Sequence, residues 1–80
     1  MPEYSSLVEY IVKGLVTHPE EVGVETTTDS KGNVKVTIKT ARDDIGRVIG
    51  KRGATINSIR LLAKASAVKS GDRVDVDIED

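Results

Sequence analysis

The sequence contains no cysteine, and its single histidine, His18, stands directly before Pro19. Without cysteine the chain forms no disulfide, thiolate nucleophile or cysteine-ligated zinc site, which fits a reducing cytoplasm. A lone histidine beside a proline is typical of a loop residue. It completes no Ser/His/Asp set and offers a metal too few nitrogen ligands nearby. The sequence therefore predicts a protein that is not an enzyme and has no metal or other cofactor.

Long apolar runs are also missing. No window approaches the roughly 18 consecutive apolar residues that a membrane-spanning helix needs. The start, Met1 to Glu3, has neither a basic n-region nor an apolar h-region, so we expect no signal peptide. These absences predict a cytoplasmic protein without a membrane partner.

The chain is too short for two independent cores, because it has only 80 residues. We therefore expect a single domain over residues 1–80. Domains of this size have modest stability unless they pair with another chain, so partners are of interest from the start.

Charge is distributed unevenly although the net charge is only −1. Residues 45–71 hold six basic side chains and no acidic one, whereas the rest of the chain sums to −7. The six are Arg47, Lys51, Arg52, Arg60, Lys64 and Lys69. A positive segment within an acidic protein is typical of a local anion-binding site, and the acidic average argues against strong non-specific binding of polyanions.

Hydrophobic periodicity predicts three helices and three strands. In chain order these are a helix over Ser5–Val16, strands over Val22–Thr28 and around Val34–Ile38, helices over Asp43–Ile49 and Ala54–Lys69, and a strand around Val74–Ile78. The first helix is expected to be capped by Ser5 or Ser6, and the second by Asp43 or Asp44. Asp29–Asn33 has the composition of a turn, and Gly71 stops the last helix.

The order α-β-β-α-α-β predicts how the strands pair. The first two strands form an antiparallel hairpin, and the last two lie parallel because two helices connect them. All three strands have one apolar face, so the helices should cover one side of the sheet. On the other side we expect Lys35 and Lys39 opposite Asp75 and Asp77, as cross-strand charge pairs.

Two glycines three residues apart separate the second and third helices. Gly50 and Gly53 let another backbone approach closely, and the N–H groups at the start of the following helix favour anions. Lys51 and Arg52 place two positive charges at the tip. Gly-x-x-Gly alone is a weak signal, and the alternative is a linker whose glycines are ordinary helix caps. The position inside a β-α-α-β unit favours a phosphate-binding loop.

The segment from Asp44 to Ile56 resembles the signature of a KH domain, with its Val-Ile-Gly-x-x-Gly-x-x-Ile centre. The element order resembles the type II, bacterial arrangement. Leu15 to Val22 resembles the stand-alone bacterial KH proteins of the KhpA type, and the likeness covers essentially the whole chain. The resemblance implies an α+β type II KH fold, with a three-stranded mixed sheet, three helices on one face and a minimal core at about 33–79.

KH domains grip about four nucleotides with this loop. By resemblance, Gly50, Lys51, Arg52 and Gly53 contact phosphates, and Arg47 stands just before them. The apolar floor beneath the bases is expected from Ile45, Val48, Ile49 and Ile56, although these positions fit the hydrophobic core equally well. Lys39 and Arg42 are expected at the far rim. Arg60 and Lys64 continue the basic surface along the third helix, or form only a solvated face.

The resemblance implies a single-stranded RNA-binding protein that acts as an RNA chaperone or post-transcriptional regulator. The only aromatic residues of the chain, Tyr4 and Tyr10, lie far from the loop in sequence. The bases therefore have no aromatic side chain to stack on, and binding should be weak. The resemblance also implies a homodimer, or a heterodimer with a larger KH-domain protein, and links to cell length and cell-wall homeostasis. The alternative is a KH–KH interaction module with weak or no RNA binding. The third helix ends in small residues, from Ala63 to Ala67. They would permit close packing against a helix of the partner, or they simply contact the core of this domain.

Overall fold

The structure, a computed structural model, describes residues 4–68 and 70–79. These residues form three α-helices and three strands in the predicted order. They are α1 (Tyr4–Lys13), β1 (Gly23–Thr28), β2 (Asn33–Lys39), α2 (Ile45–Ile49), α3 (Ala54–Ala67) and β3 (Arg73–Ile78). Single 3₁₀ turns at Pro19–Glu21, Arg42–Asp44 and Lys51–Gly53 lead into β1, α2 and α3. The α+β class and the mixed three-stranded sheet are confirmed.

The sheet has the order β1-β2-β3, with β1 antiparallel and β3 parallel to the central β2. Lys35 lies opposite Asp75, as predicted. The predicted pair of Lys39 with Asp77 is wrong, because Thr37 faces Asp77 and Lys39 faces Gly23. An in-register parallel pair preserves residue spacing, so two lysines four residues apart cannot both face aspartates two residues apart.

The core lies between the sheet and the three helices, and β1 adds only the partly buried Val24 to its edge. Its buried hydrophobic side chains are Tyr4, Val8, Val12, Val36, Ile38, Val48, Ile56, Ile59, Ala63, Ala67, Val74 and Val76. Fully burying a Val or Ile side chain contributes about 1.5–3 kcal/mol. Of the small residues near the end of α3, Ala63 and Ala67 are buried and pack in the core. Ala65 and Ser66 remain exposed.

The helix ends differ from prediction at several points. Tyr4 is already helical, so Ser5 and Ser6 lie within the first turn of α1 and not before it. The helix ends at Lys13 rather than Val16, since the Gly14 N–H turns back to the Ile11 carbonyl at 3.1 Å. The expected end of α3 at Lys69 lies outside the described residues.

Candidate nucleic-acid interface

The loop between α2 and α3 has a backbone that only glycine fits at its first position. Gly50 adopts φ +75° and ψ 174°, and its N–H donates to the Gly46 carbonyl at 2.9 Å. A Cβ at Gly50 would overlap the Thr55 hydroxyl and lie 2.8 Å from the Thr55 backbone nitrogen. The absence of a side chain is therefore a steric requirement as well as a conformational one.

The tip of the loop carries two exposed cations on a tight turn. Arg52 is in the left-handed region with φ +57°, followed by Gly53 with φ +77°. The turn is closed by the Gly53 N–H, which donates to the Gly50 carbonyl at 3.1 Å. A non-glycine residue in this region costs about 1–2 kcal/mol, so the fold holds the loop in one shape. Lys51 and Arg52 are both exposed.

Helix α3 begins immediately after this turn. Its N-cap residue is Gly53, which has no side chain to accept hydrogen bonds from the first-turn N–H groups. Those N–H groups and the positive end of a 14-residue helix favour an anion at this place. The loop thus combines an open backbone, two cations and a helix N-terminus within a few residues.

A buried carboxylate fixes the start of α2. Asp44 is fully buried and accepts hydrogen bonds from the Thr17 N–H at 3.0 Å, the Thr17 hydroxyl at 2.8 Å and the His18 N–H at 3.0 Å. Burial acts to raise the pKa of Asp44, but these hydrogen bonds outweigh it and hold that pKa below its ordinary value. The capping prediction for Asp44 is wrong, because the carboxylate makes no cap bond to α2 and ties the α1–β1 loop to it instead.

Arg47 lies one turn before Gly50 on α2. Its side chain is 60% exposed, and its Nε lies 3.7 Å from the Asp44 carboxylate. The Asp44 carboxylate in this pair is buried and held by its own hydrogen bonds, so its position is fixed. Arg47 therefore keeps its guanidinium on the surface near the loop.

The four predicted floor residues divide into two pairs. Val48 and Ile56 are 0% and 5% exposed and belong to the core, so the core interpretation that the sequence left open holds for them. Ile45 and Ile49 are half-buried and keep apolar surface beside the loop. Periodicity could not separate Val48 from Ile45 and Ile49, because α2 has only five residues, and these face both the core and solvent.

The basic residues beyond the loop lie in different places. Lys64 is exposed on α3, and Arg42 is exposed in the turn that precedes α2. Lys39 shares a shallow depression with Glu25, Thr37 and Glu79. These are outward positions of the sheet, on the face opposite the helices, so Lys39 does not extend the rim of the loop.

Arg60 is held by three neighbours and is not a freely solvated side chain. Its Nε donates to the Val76 carbonyl at 2.8 Å, and its Nη1 donates to the Asn57 side-chain oxygen at 2.8 Å. Its Nη2 lies 3.7 Å from the Asp77 carboxylate. Sequence reasoning named Arg60 but missed these contacts, which join α3 to β3 across residues distant in sequence.

The structure groups His18 with Glu20 and Glu21, with one ligand atom from each within 4.8 Å of the others. Nothing in the sequence predicts this cluster except the closeness of the three residues along the chain. Exposed carboxylates often lie this close in proteins that bind no metal, and His18 already pairs with Glu20 at 3.5 Å. The cluster carries no metal assignment.

Comparison with known families decides the identity of the fold. The family model for the KH domain of KhpA and KhpB matches residues 5–78. The chain belongs to this family. A Clostridium acetobutylicum protein named RNA-binding protein KhpA is 43% identical over 72 residues, covering 90% of this chain and 95% of that protein. A Borreliella burgdorferi protein of the same name is 35% identical over 83 residues, covering all of both chains.

A solved structure gives the same fold at low identity. Era, crystallised with MgGDPNP and nucleotides 1506–1542 of 16S ribosomal RNA, matches with a TM-score of 0.64 and 17% identity. The match covers 94% of this chain and 28% of the Era chain. The type II KH fold is confirmed, and the KhpA relatives are named as RNA-binding proteins, a KH family that is not enzymatic. Among the described residues, no helix is long and apolar enough to cross a membrane.

Proposed function

We propose that this protein binds single-stranded RNA in the cytoplasm, through the loop from Gly50 to Gly53. One observation carries the proposal: the loop backbone is fixed and bare. Gly50 has no space for a Cβ, and two successive left-handed residues present Lys51 and Arg52 at the tip. A rigid, open backbone beside a helix N-terminus suits a phosphodiester chain, and the KhpA relatives are named RNA-binding proteins.

The residues of the proposed site have separate tasks. Gly50, Lys51, Arg52 and Gly53 contact phosphates, and Arg47 adds charge beside them. Ile45 and Ile49 provide the apolar surface under the bases, while Val48 and Ile56 support that surface from the core. The whole of residues 1–80 forms one KH domain, whose minimal core at about 33–79 contains the loop. Such a site neutralises few phosphates and has no aromatic platform, so it binds a few nucleotides weakly.

Weak binding suits an RNA chaperone or post-transcriptional regulator that gains affinity from a second site. Two binding modules held together raise each other's effective concentration. We therefore propose that the protein acts as a homodimer or with a larger KH-domain partner. The resemblance to KhpA-type proteins also supports a role in cell length and cell-wall homeostasis.

An exposed apolar stripe on α3 favours the second candidate function, a KH–KH interaction module. Leu61, Leu62 and Val68 are 69%, 51% and 77% exposed. Leu61 and Val68 lie seven residues apart, about two turns, and Val68 directly follows α3 with helical backbone angles, so the two share one side of the helix. Exposed apolar patches of this kind often mark protein–protein contacts. In this candidate function, pairing is the main task and RNA binding is secondary.

One experiment separates the two functions. The double variant Lys51→Gln and Arg52→Gln removes both charges while keeping a non-glycine residue at the left-handed position. Lys31→Gln with Lys35→Gln is a control with the same charge change in the hairpin. RNA binding is measured by fluorescence anisotropy and molecular mass by light scattering. The loop variant should lose RNA binding at unchanged mass, while the control retains both. If the loop variant bound RNA as tightly as the control variant, the loop would not be the RNA-binding site.

A further inference from the structure

Strand β3 has one edge that does not pair with β2. The Glu79 N–H donates to the Ile38 carbonyl at 2.8 Å, and Ile38 stands opposite Ile78 in the register. In a parallel pair, alternate residues direct both backbone groups to the same neighbour. Asp77 and Glu79 therefore direct theirs toward β2, and Val76 and Ile78 direct theirs away from the sheet.

Three of the outward backbone groups are bonded to side chains of this chain. The Val76 N–H donates to the Asp75 carboxylate at 3.0 Å, and the Ile78 N–H donates to the Asp77 carboxylate at 2.9 Å. The Val76 carbonyl accepts the Arg60 Nε–H at 2.8 Å. A molecule that approaches the edge at Val76 and Ile78 therefore meets these side chains before it reaches the strand N–H groups.

Arg60 is the donor-bearing group at this edge, and its position is fixed. Asn57 accepts from Nη1 at 2.8 Å, and Asp77 lies 3.7 Å from Nη2. A guanidinium has five N–H donors, so these three neighbours leave part of its planar fork free. The side chain is 33% exposed, which leaves that part accessible to a ligand. A fork that is already oriented loses little conformational entropy when it binds.

The surrounding charge favours a base over a phosphate as its ligand. Asp77 is exposed beside the guanidinium, and Asp75 is exposed on the same strand, so both carboxylates repel a phosphate at this edge. The edge of a base is neutral and meets no such repulsion. Adjacent N–H donors of an arginine fork match the O6 and N7 acceptors of guanine, and bases of single-stranded RNA are read on this edge.

The distance from the loop fits a nucleotide of the same bound strand. Arg60 follows Gly53 by seven residues, about 10 Å along the axis of α3. We propose that Arg60 selects a guanine next to the nucleotides held by the loop. This proposal rests on the RNA-binding function above and adds to it a base preference that the Arg60 side chain provides at the β3 edge.

The test uses uridine-rich oligonucleotides that differ at one central base: guanosine, adenosine, cytidine, uridine or 7-deazaguanosine, which lacks the N7 acceptor. Affinities are measured by anisotropy for the wild type, for Arg60→Lys, which keeps the charge but not the fork, and for Arg60→Gln. Circular dichroism checks that each variant is folded. The wild type should bind the guanosine oligonucleotide at least roughly fivefold more tightly than the others. Arg60→Lys should bind all five equally, with its affinity for the uridine oligonucleotide retained.

Three outcomes would overturn the proposal: equal wild-type affinity for all bases, preference for another base, or a guanine preference that persists in folded Arg60→Lys. Failure of the loop function has a different signature. In that case Lys51→Gln with Arg52→Gln binds every oligonucleotide as tightly as the wild type, whatever the central base.

Discussion

Replacing Gly50 with alanine tests the geometry on which the proposed site depends. An alanine there must adopt φ +75°, which costs about 1–2 kcal/mol. Its methyl group must also displace Thr55, whose backbone nitrogen would lie 2.8 Å from the new Cβ. Forcing one methyl into packed space costs about 1–3 kcal/mol. Together these terms predict a loss of about 2–5 kcal/mol in the free energy of unfolding.

Gly46, in the same short helix, is the matched control. Its backbone is not in the left-handed region, and a Cβ built there meets no atom within 4 Å among the described residues. Alanine has a higher helix propensity than glycine, so Gly46→Ala should stabilise the protein by about 0.5–1 kcal/mol. The two variants make the same chemical change four residues apart and should shift stability in opposite directions.

Urea unfolding followed by circular dichroism measures both variants. With m-values of about 1–3 kcal/mol/M, Gly50→Ala should lower the urea midpoint by roughly 0.7–5 M at unchanged m. A loss below roughly 1 kcal/mol, or a shift matching that of Gly46→Ala, would refute the loop geometry described here.

Three further predictions concern acid stability, salt and pairing. Because the pKa of Asp44 is lowered by folding, its contribution to stability is present above its unfolded value of 3.8 and is lost as the pH falls further. Asp44→Asn should therefore be less stable than the wild type in urea at pH 7, with a smaller difference at pH 3; a constant difference would contradict this. RNA affinity should fall with salt at a slope of about −1 to −3 in log K against log salt, and a slope near −8 would exclude a small groove. Leu61→Asp with Val68→Asp should abolish any self-association seen by light scattering, whereas Tyr10→Asp, at another exposed site, should leave it intact.

Periodicity and glycine spacing were sufficient to predict most of the fold. Alternation in β2 and β3 placed Val36, Ile38, Val74 and Val76 in the core, and the structure buries all four. The loop could be located because Gly50 and Gly53 interrupt two helical patterns at a recognisable spacing. These features are local, so a single sequence contains the information that specifies them.

The contacts that position the loop could not be predicted from the sequence. Asp44 stands where a helix cap is expected, but its partner Thr17 is 27 residues away. A short polar residue before a helix has the same local pattern whether it caps that helix or reaches a remote loop. Arg60 likewise has the pattern of an exposed helical residue until β3 is placed beside α3. Such assignments depend on the three-dimensional arrangement of elements, which local pattern does not encode.

The occupied edge of β3 also matters for solubility. A small sheet with a free edge is a template on which a second chain can add a strand, the first step of ordered aggregation. Here the Val76 and Ile78 N–H groups are bonded to aspartates, and the Val76 carbonyl is bonded to Arg60. An incoming strand would have to displace charged side chains before bonding to these three groups. The arrangement that we assign to base selection therefore also opposes the addition of a strand at the β3 edge of the sheet.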